Sequence, residues 1–254
     1  MNQPKKNAAD NSEIVSLMHH CKRKKQPKRM TIATILPYLQ APVLAILLIL
    51  YLNKKFQINS NKHLYQAFGL GLITVVSLFL FDLIAESLGY DQLKNLKRSG
   101  FYSFVIVGFG SQLGIFIVLR YYFLPLKSFN TPLDGVLYTM LISLGFNTLA
   151  VPLFDMGLFA KQLSPVFIYS LPMACLFFGI IMGFFIGMGK YRKNRLIDSL
   201  TGLGAASFFM GFYYFGFLTS EKTIMVLYGI GVFLIALLLM IKSTNIKPEK
   251  NSRL

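Results

Sequence analysis

Apolar residues in this chain come in long blocks separated by short polar stretches. The blocks lie at about 33–52, 66–88, 101–126, 133–158, 165–188, 197–218 and 222–242. Each is close to the roughly 20 residues that a helix needs to cross a bilayer core of about 30 Å. A helix satisfies its own backbone hydrogen bonds, which lipid cannot do for it. The pattern predicts an all-α, polytopic integral membrane protein with about seven transmembrane helices. These form one domain, residues 32–243, between a basic tail at 1–31 and a polar basic tail at 244–254. The bland alternative is a soluble helical bundle. Composition argues against it, because 54% of residues are hydrophobic and 14% are charged, where a soluble domain carries about 25% charged residues.

Features inside the blocks refine the picture. Pro37 and Pro42 predict a kink in the first span. Gly179, Gly183 and Gly187 repeat every four residues on the fifth span. That spacing puts them on one face, and small residues let helix backbones approach in lipid. The face is expected to lie against the fourth span, whose Gly145 also favours close approach. Asp134 and Gly135, after Pro132, read as a helix-start cap.

The net charge is +16, and most of it lies outside the spans. Lys22, Arg23, Lys24, Lys25, Lys28 and Arg29 abut the first span without interleaved aromatic residues. This is read as a juxtamembrane cluster facing anionic lipid rather than a nucleic-acid patch. Within the tail, Ile14, Leu17, Met18 and Cys21 form a helical stripe with Asn11 or Ser12 as its cap. A helix in the interface plane and a disordered tail both fit. No cleavable signal peptide is recognisable. Cys21 and Cys175 give no disulfide framework. Topology is undecided by charge. With seven spans, the loops on the side of the first tail carry 13 Lys and Arg against 12 opposite.

The candidate chemistry is sparse. Intramembrane charges default to functional hypotheses, and the candidates are Asp82, Glu86, Arg120, Asp134 and Asp155. Asp82 and Arg120 are expected to face the bundle interior, where they could be partners; the bland alternative is a mutual salt bridge or snorkelling to the interface. There is no glutamate between Glu86 and Glu221 and no histidine after His63. A hydrolytic metal needs several converging His, Glu or Asp ligands, so no metal and no cofactor are expected. An aspartyl dyad lacks its glycine-rich motifs. Cys175 and Ser111 lack a base.

Three stretches carry a resemblance. Residues 43–86 read as an apolar hairpin with Tyr51 and Lys54–Lys55 at its turn and Phe68–Gly69 opening its second arm. Residues 129–146, FNTPLDGVLYTMLISLGF, hold Asp134, Gly135, Tyr138, Gly145 and Phe146. Residues 177–187, FFGIIMGFFIG, hold Met182 and Gly183. In order and spacing, over about 41–218, they resemble the PrsW family of intramembrane peptidases. The resemblance implies peptide hydrolysis within the membrane. It also implies paired glutamates near Gly110–Leu113, a glutamate–asparagine pair at Ala150 and Val151, and histidines at Cys175 and Met210, with an asparagine at Tyr214. None of these residues is present here.

The expected protein is therefore a degenerate member of that family, located in the cell membrane (the inner membrane, if bacterial). It would bind transmembrane segments or membrane partners within the lipid bilayer, and no nucleic acid. An active peptidase with displaced residues, and a small transporter or channel using Asp82, Glu86 and Arg120, are the alternatives.

Overall fold

The computed structural model describes residues 32–56, 62–90, 93, 95–159, 163–190, 195–219 and 222–246. The chain divides into two units, Met1–Ile35 and Leu36–Leu254. Of the first, only residues 32–35 are described, as the opening turn of a helix. The tail stripe Ile14–Cys21, the basic block at 22–29 and residues 247–254 lie outside the described residues.

The described residues form helices joined by short connections. α1 is Ile32–Phe56 and continues through Pro37 and Pro42. α2, Lys62–Ile73, and α3, Val75–Ser87, make one rod. It is interrupted at Thr74, whose hydroxyl turns back to the Gly71 carbonyl at 2.6 Å. A third rod runs from Leu96 to Phe123. It contains α4, Leu96–Phe101, and α5, Gly110–Ile117, each followed by a π-helical stretch, Tyr102–Phe109 and Val118–Phe123. π turns are rare and concentrate at functional sites. α6 is Pro132–Asp155, α7 Pro165–Met188, α8 Arg195–Thr219 and α9 Lys222–Asn245.

Six of the seven rods are long and apolar enough to cross a membrane. The exception is α8, diluted by Asp198, Ser199, Ser207, Tyr213 and Tyr214. All five of those side chains are buried. α8 hides its polar face in the bundle and turns Leu196, Ile197, Leu200 and Phe208 outward.

α6 and α7 pack most intimately. A Cβ on Gly183 would stand 2.5 Å from the Gly135 carbonyl oxygen, and one on Gly187 would stand 2.7 Å from Pro132 Cα. Gly179 faces the Ser143 hydroxyl. The face carrying these glycines thus lies on the fourth span. Gly145 does not take part. It abuts Gly71 and the Phe68 carbonyl on α2, and Gly135 is the partner of Gly183. Both faces of α6 are used, because α6 is the central helix, with α2 on one side and α7 on the other.

The start of α6 is fixed by its own first residues. The Thr131 hydroxyl accepts from Asp134 N at 3.2 Å, and the Asp134 carboxylate accepts from the N–H groups of Asn130 and Thr131 at 2.7 Å each. This capping box satisfies backbone donors that a helix start leaves free. Asp134 sits at the third helical position and Thr131 is the cap itself.

Two predictions follow from this packing. Gly183→Leu forces α6 and α7 apart and lowers stability by about 1–3 kcal/mol, as overpacking does. Gly229, with open space around it, tolerates alanine with no loss or a gain of up to about 1 kcal/mol. Thermal unfolding in one detergent checks both, and equal stability of the two variants would contradict the packing. Asp134→Ala should cost about 1 kcal/mol by removing half of the capping box. That loss is readable in the same scan.

Candidate functional site

The structure sends the sequence candidates to opposite ends of the bundle. Arg120 and Asp134 lie at one end, where the third rod finishes and α6 begins. Asp82, Glu86 and Asp155 lie toward the other, where α3 and α6 finish. The possible Asp82–Arg120 pairing is not formed. Tyr102, not Arg120, donates its hydroxyl proton to Asp82. Arg120 follows Tyr102 by about 18 residues on the same rod, roughly 27 Å of helix. Arg120 donates instead to the Ser199 hydroxyl and, at 3.5 Å, to the Arg195 carbonyl at the start of α8. Asp155 accepts from Tyr38 of α1. Glu86 is exposed. Among the described residues, no three His, Cys, Asp or Glu side chains come together.

At the Arg120 end, Lys190 closes the turn between the third rod and α6. Its ammonium donates to the carbonyls of Leu124 and Leu126, both at 3.4 Å, and of Phe129, and it lies 5.2 Å from the Phe129 ring centroid. Desolvation and the neighbouring Arg195 charge lower its pKa below the usual lysine value, while Asp134 opposes them.

The residues at the positions singled out by resemblance are buried in the interior. Gln112 on α5, Ala150 on α6, Cys175 on α7, and Met210 and Tyr214 on α8 are each 0% exposed. Close contacts set their helices side by side. Gly108 abuts Ser207 and Gly211, which sets the third rod against α8. The Phe178–Phe209 ring pair sets α7 against α8. The Asn147 side chain reaches Cys175 between α6 and α7. Ala150, Cys175, Met210 and Tyr214 belong to one packed apolar cluster.

That interior also carries polar atoms without hydrogen-bond partners among the described residues. They include both amide atoms of Gln112, Asn147 Oδ1, Ser143 Oγ, Ser207 Oγ and the Tyr214 hydroxyl. Each such atom costs about 1–3 kcal/mol when left bare. The resemblance named only the stretch Gly110–Leu113, and sequence reasoning did not single out Gln112 within it, nor Ser207, nor the roles of Tyr102 and Ser199. The available signal was a lone amide, Gln112, inside an apolar run, because polar groups at mid-span are costly and tend to be functional.

A second feature faces outward. A cavity of about 290 Å³ lies between α7, α8 and α9, lined by Met173, Phe177, Met225, Val226 and the Ser170–Tyr213 hydroxyl pair. The two hydroxyls are 2.6 Å apart.

The comparisons with known proteins agree with this architecture. Residues 59–241 match the family described as PrsW family intramembrane metalloprotease. Protease PrsW of Bacillus subtilis (strain 168) is 26% identical over 161 residues, covering 61% of this chain and 68% of that one. Protease PrsW of Geobacillus kaustophilus (strain HTA426) is 24% identical over 203 residues, covering 78% and 84%. No solved structure matches. With most of its length matched, from the hairpin at α2–α3 through α9, the chain belongs to the PrsW family of intramembrane proteases.

Proposed function

We propose that this chain is a non-catalytic member of its family, one that binds transmembrane segments or membrane partners without cleaving them. The carrying observation is the content of the bundle interior. The stretch Gly110–Leu113, which includes Gln112, and Ala150, Cys175 and Met210 stand at the positions where the family resemblance places glutamates and histidines.

The family description implies a metal, and the residues present do not fit one. An amide, a methyl group and a thioether are not the ligands of a hydrolytic metal, which takes imidazole, carboxylate or thiolate groups. Cys175 is the lone thiol in that set, and it is packed among apolar residues and the Asn147 amide. The carboxylates Asp82, Asp134 and Asp155 are held by a tyrosine, a helix cap and a second tyrosine.

Partner binding is supported by the outward cavity between α7 and α9. Met173 and Met225 line it, and methionine adapts its shape to varied apolar partners. α9 presents much of its surface outward, including Leu227, Ile230, Leu234 and Leu238.

The test is metal content and cleavage, measured together. Purified tag-free protein should carry well under one zinc per chain by elemental analysis, and added Zn²⁺ should leave its melting temperature unchanged. A co-expressed single-span reporter should stay intact yet be photo-crosslinked to a probe at Val226. About one zinc per chain, lost on changing Asp134 or Asp155, would overturn the reading. So would reporter cleavage that disappears in Asp82→Asn.

A further inference from the structure

The cavity between α7, α8 and α9 is drawn out along the helices. Its α7 wall runs from Val166 to Phe178 and its α9 wall from Met225 to Val232, roughly 18 Å and 10 Å of helix rise. Its volume is about 290 Å³, and it is partly open to the outside. One turn of a helix 10–12 Å across fills roughly 400 Å³ or more. A transmembrane helix can therefore lie over the mouth but cannot enter, and the interior suits a slimmer occupant.

The slot has a polar end and an apolar end. Ala174, Phe177 and Val232 line its deeper part. The Ser170–Tyr213 hydroxyl pair sits near the end where α7 begins and α8 finishes. Ser170 comes five residues after Pro165, and Tyr213 six residues before Thr219, roughly 8–9 Å of rise in from those helix ends. Tyr228 also lines the slot, and its hydroxyl donates to the Phe209 carbonyl. Polar near the membrane face and apolar toward the middle is the polarity of a single lipid chain with its head.

The hydroxyl pair has a defined capacity. Ser170 Oγ lies 2.7 Å from the Val166 carbonyl and 2.6 Å from the Tyr213 hydroxyl, and that hydroxyl lies 3.3 Å from the Phe167 carbonyl. Each hydroxyl has one proton and two acceptor lone pairs. Both protons find acceptors within this group, and lone pairs are left over. Ser170 is only partly buried, so a ligand in the slot can reach it. Such a ligand meets the pair by donating a hydrogen bond, and it finds no donor there.

We infer that the slot binds one long-chain alcohol of the membrane. Its O–H donates to Ser170 or Tyr213, and its chain lies against Phe177 and Val232. A few polar groups on an apolar wall fix orientation in this way in ligand pockets generally. An ester or ether head on the same chain has nothing to donate. The alcohol occupies the slot and a helical partner only its mouth, so the inference does not rest on the function proposed above.

Photolabelling of the native chain in phosphatidylcholine nanodiscs tests it. The probes are a long-chain primary alcohol with a mid-chain diazirine and its methyl ether, which keeps the chain and loses the donor. The alcohol should label Met173 and Val226 about three- to tenfold more than the ether, the worth of one hydrogen bond. Excess unlabelled alcohol should compete the labelling away. Equal labelling by the two probes overturns the assigned head group, and labelling that does not saturate overturns the site. Gly229 lines the slot and has open space where a Cβ would stand. Gly229→Leu should therefore fill the slot and abolish Met173 labelling without lowering the melting temperature. Persistent labelling of that folded variant overturns the proposal. Ser170→Ala combined with Tyr213→Phe should bring the alcohol down to the ether level, and a retained preference overturns the role of the pair. If a variant does not fold, the native comparison and the competition still decide. No partner is present in these measurements, so their failure is separate from that of the reporter crosslink.

Discussion

The backbones of α6 and α7 pass so close at Gly135 and Gly183 that neither position has room for a side chain. Lipid tails are as apolar as leucine, so helices in a bilayer gain little by hiding apolar surface from it. Dispersion at close range and backbone proximity must hold them together. Gly135 and Gly183 provide that contact directly. With α7 seated on one side, α6 presents Gly145 to α2 on the other, again backbone to backbone.

The remaining contacts follow from this central pair. α8 lies along α7 through Gly202 and the Phe178–Phe209 rings and along the third rod through Gly211. It can carry two tyrosines, two serines and an aspartate because they are directed inward. The charged groups at the bundle ends are held by neutral or backbone partners: Asp82 by Tyr102, Arg120 by Ser199, Lys190 by three carbonyls. A hydroxyl or carbonyl can hold such a charge at its own depth, whereas a salt bridge from Asp82 to Arg120 would have to span most of a membrane.

Span positions were legible from the sequence because an apolar run of about 20 residues has few alternatives in lipid. The run at 133–158 became Pro132–Asp155. The four-residue glycine spacing on α7 pointed to the fourth span, because periodicity alone identifies a packing face. It did not identify the partner glycine, since register between two helices is written in neither. Gly145 was the natural choice and went to α2. The Asp82–Arg120 pairing failed for a related reason: complementary charge says nothing about depth. The π-helical stretches around Tyr102 and Arg120 carry no proline that would announce them.

The capping box at Thr131 and Asp134 bears on how relatives of this chain are understood. The Pro-Leu-Asp-Gly segment, part of the second stretch that carries the resemblance, here starts a helix and seats it against its neighbour. Asp134 holds two backbone N–H groups, and Gly135 admits α7. Those duties are needed whether or not the interior beyond them performs a reaction. A chain that lost its catalytic groups would still need this segment to assemble in the bilayer. The segment is therefore a signature of architecture, and activity has to be judged from residues about two to four turns deeper in the membrane.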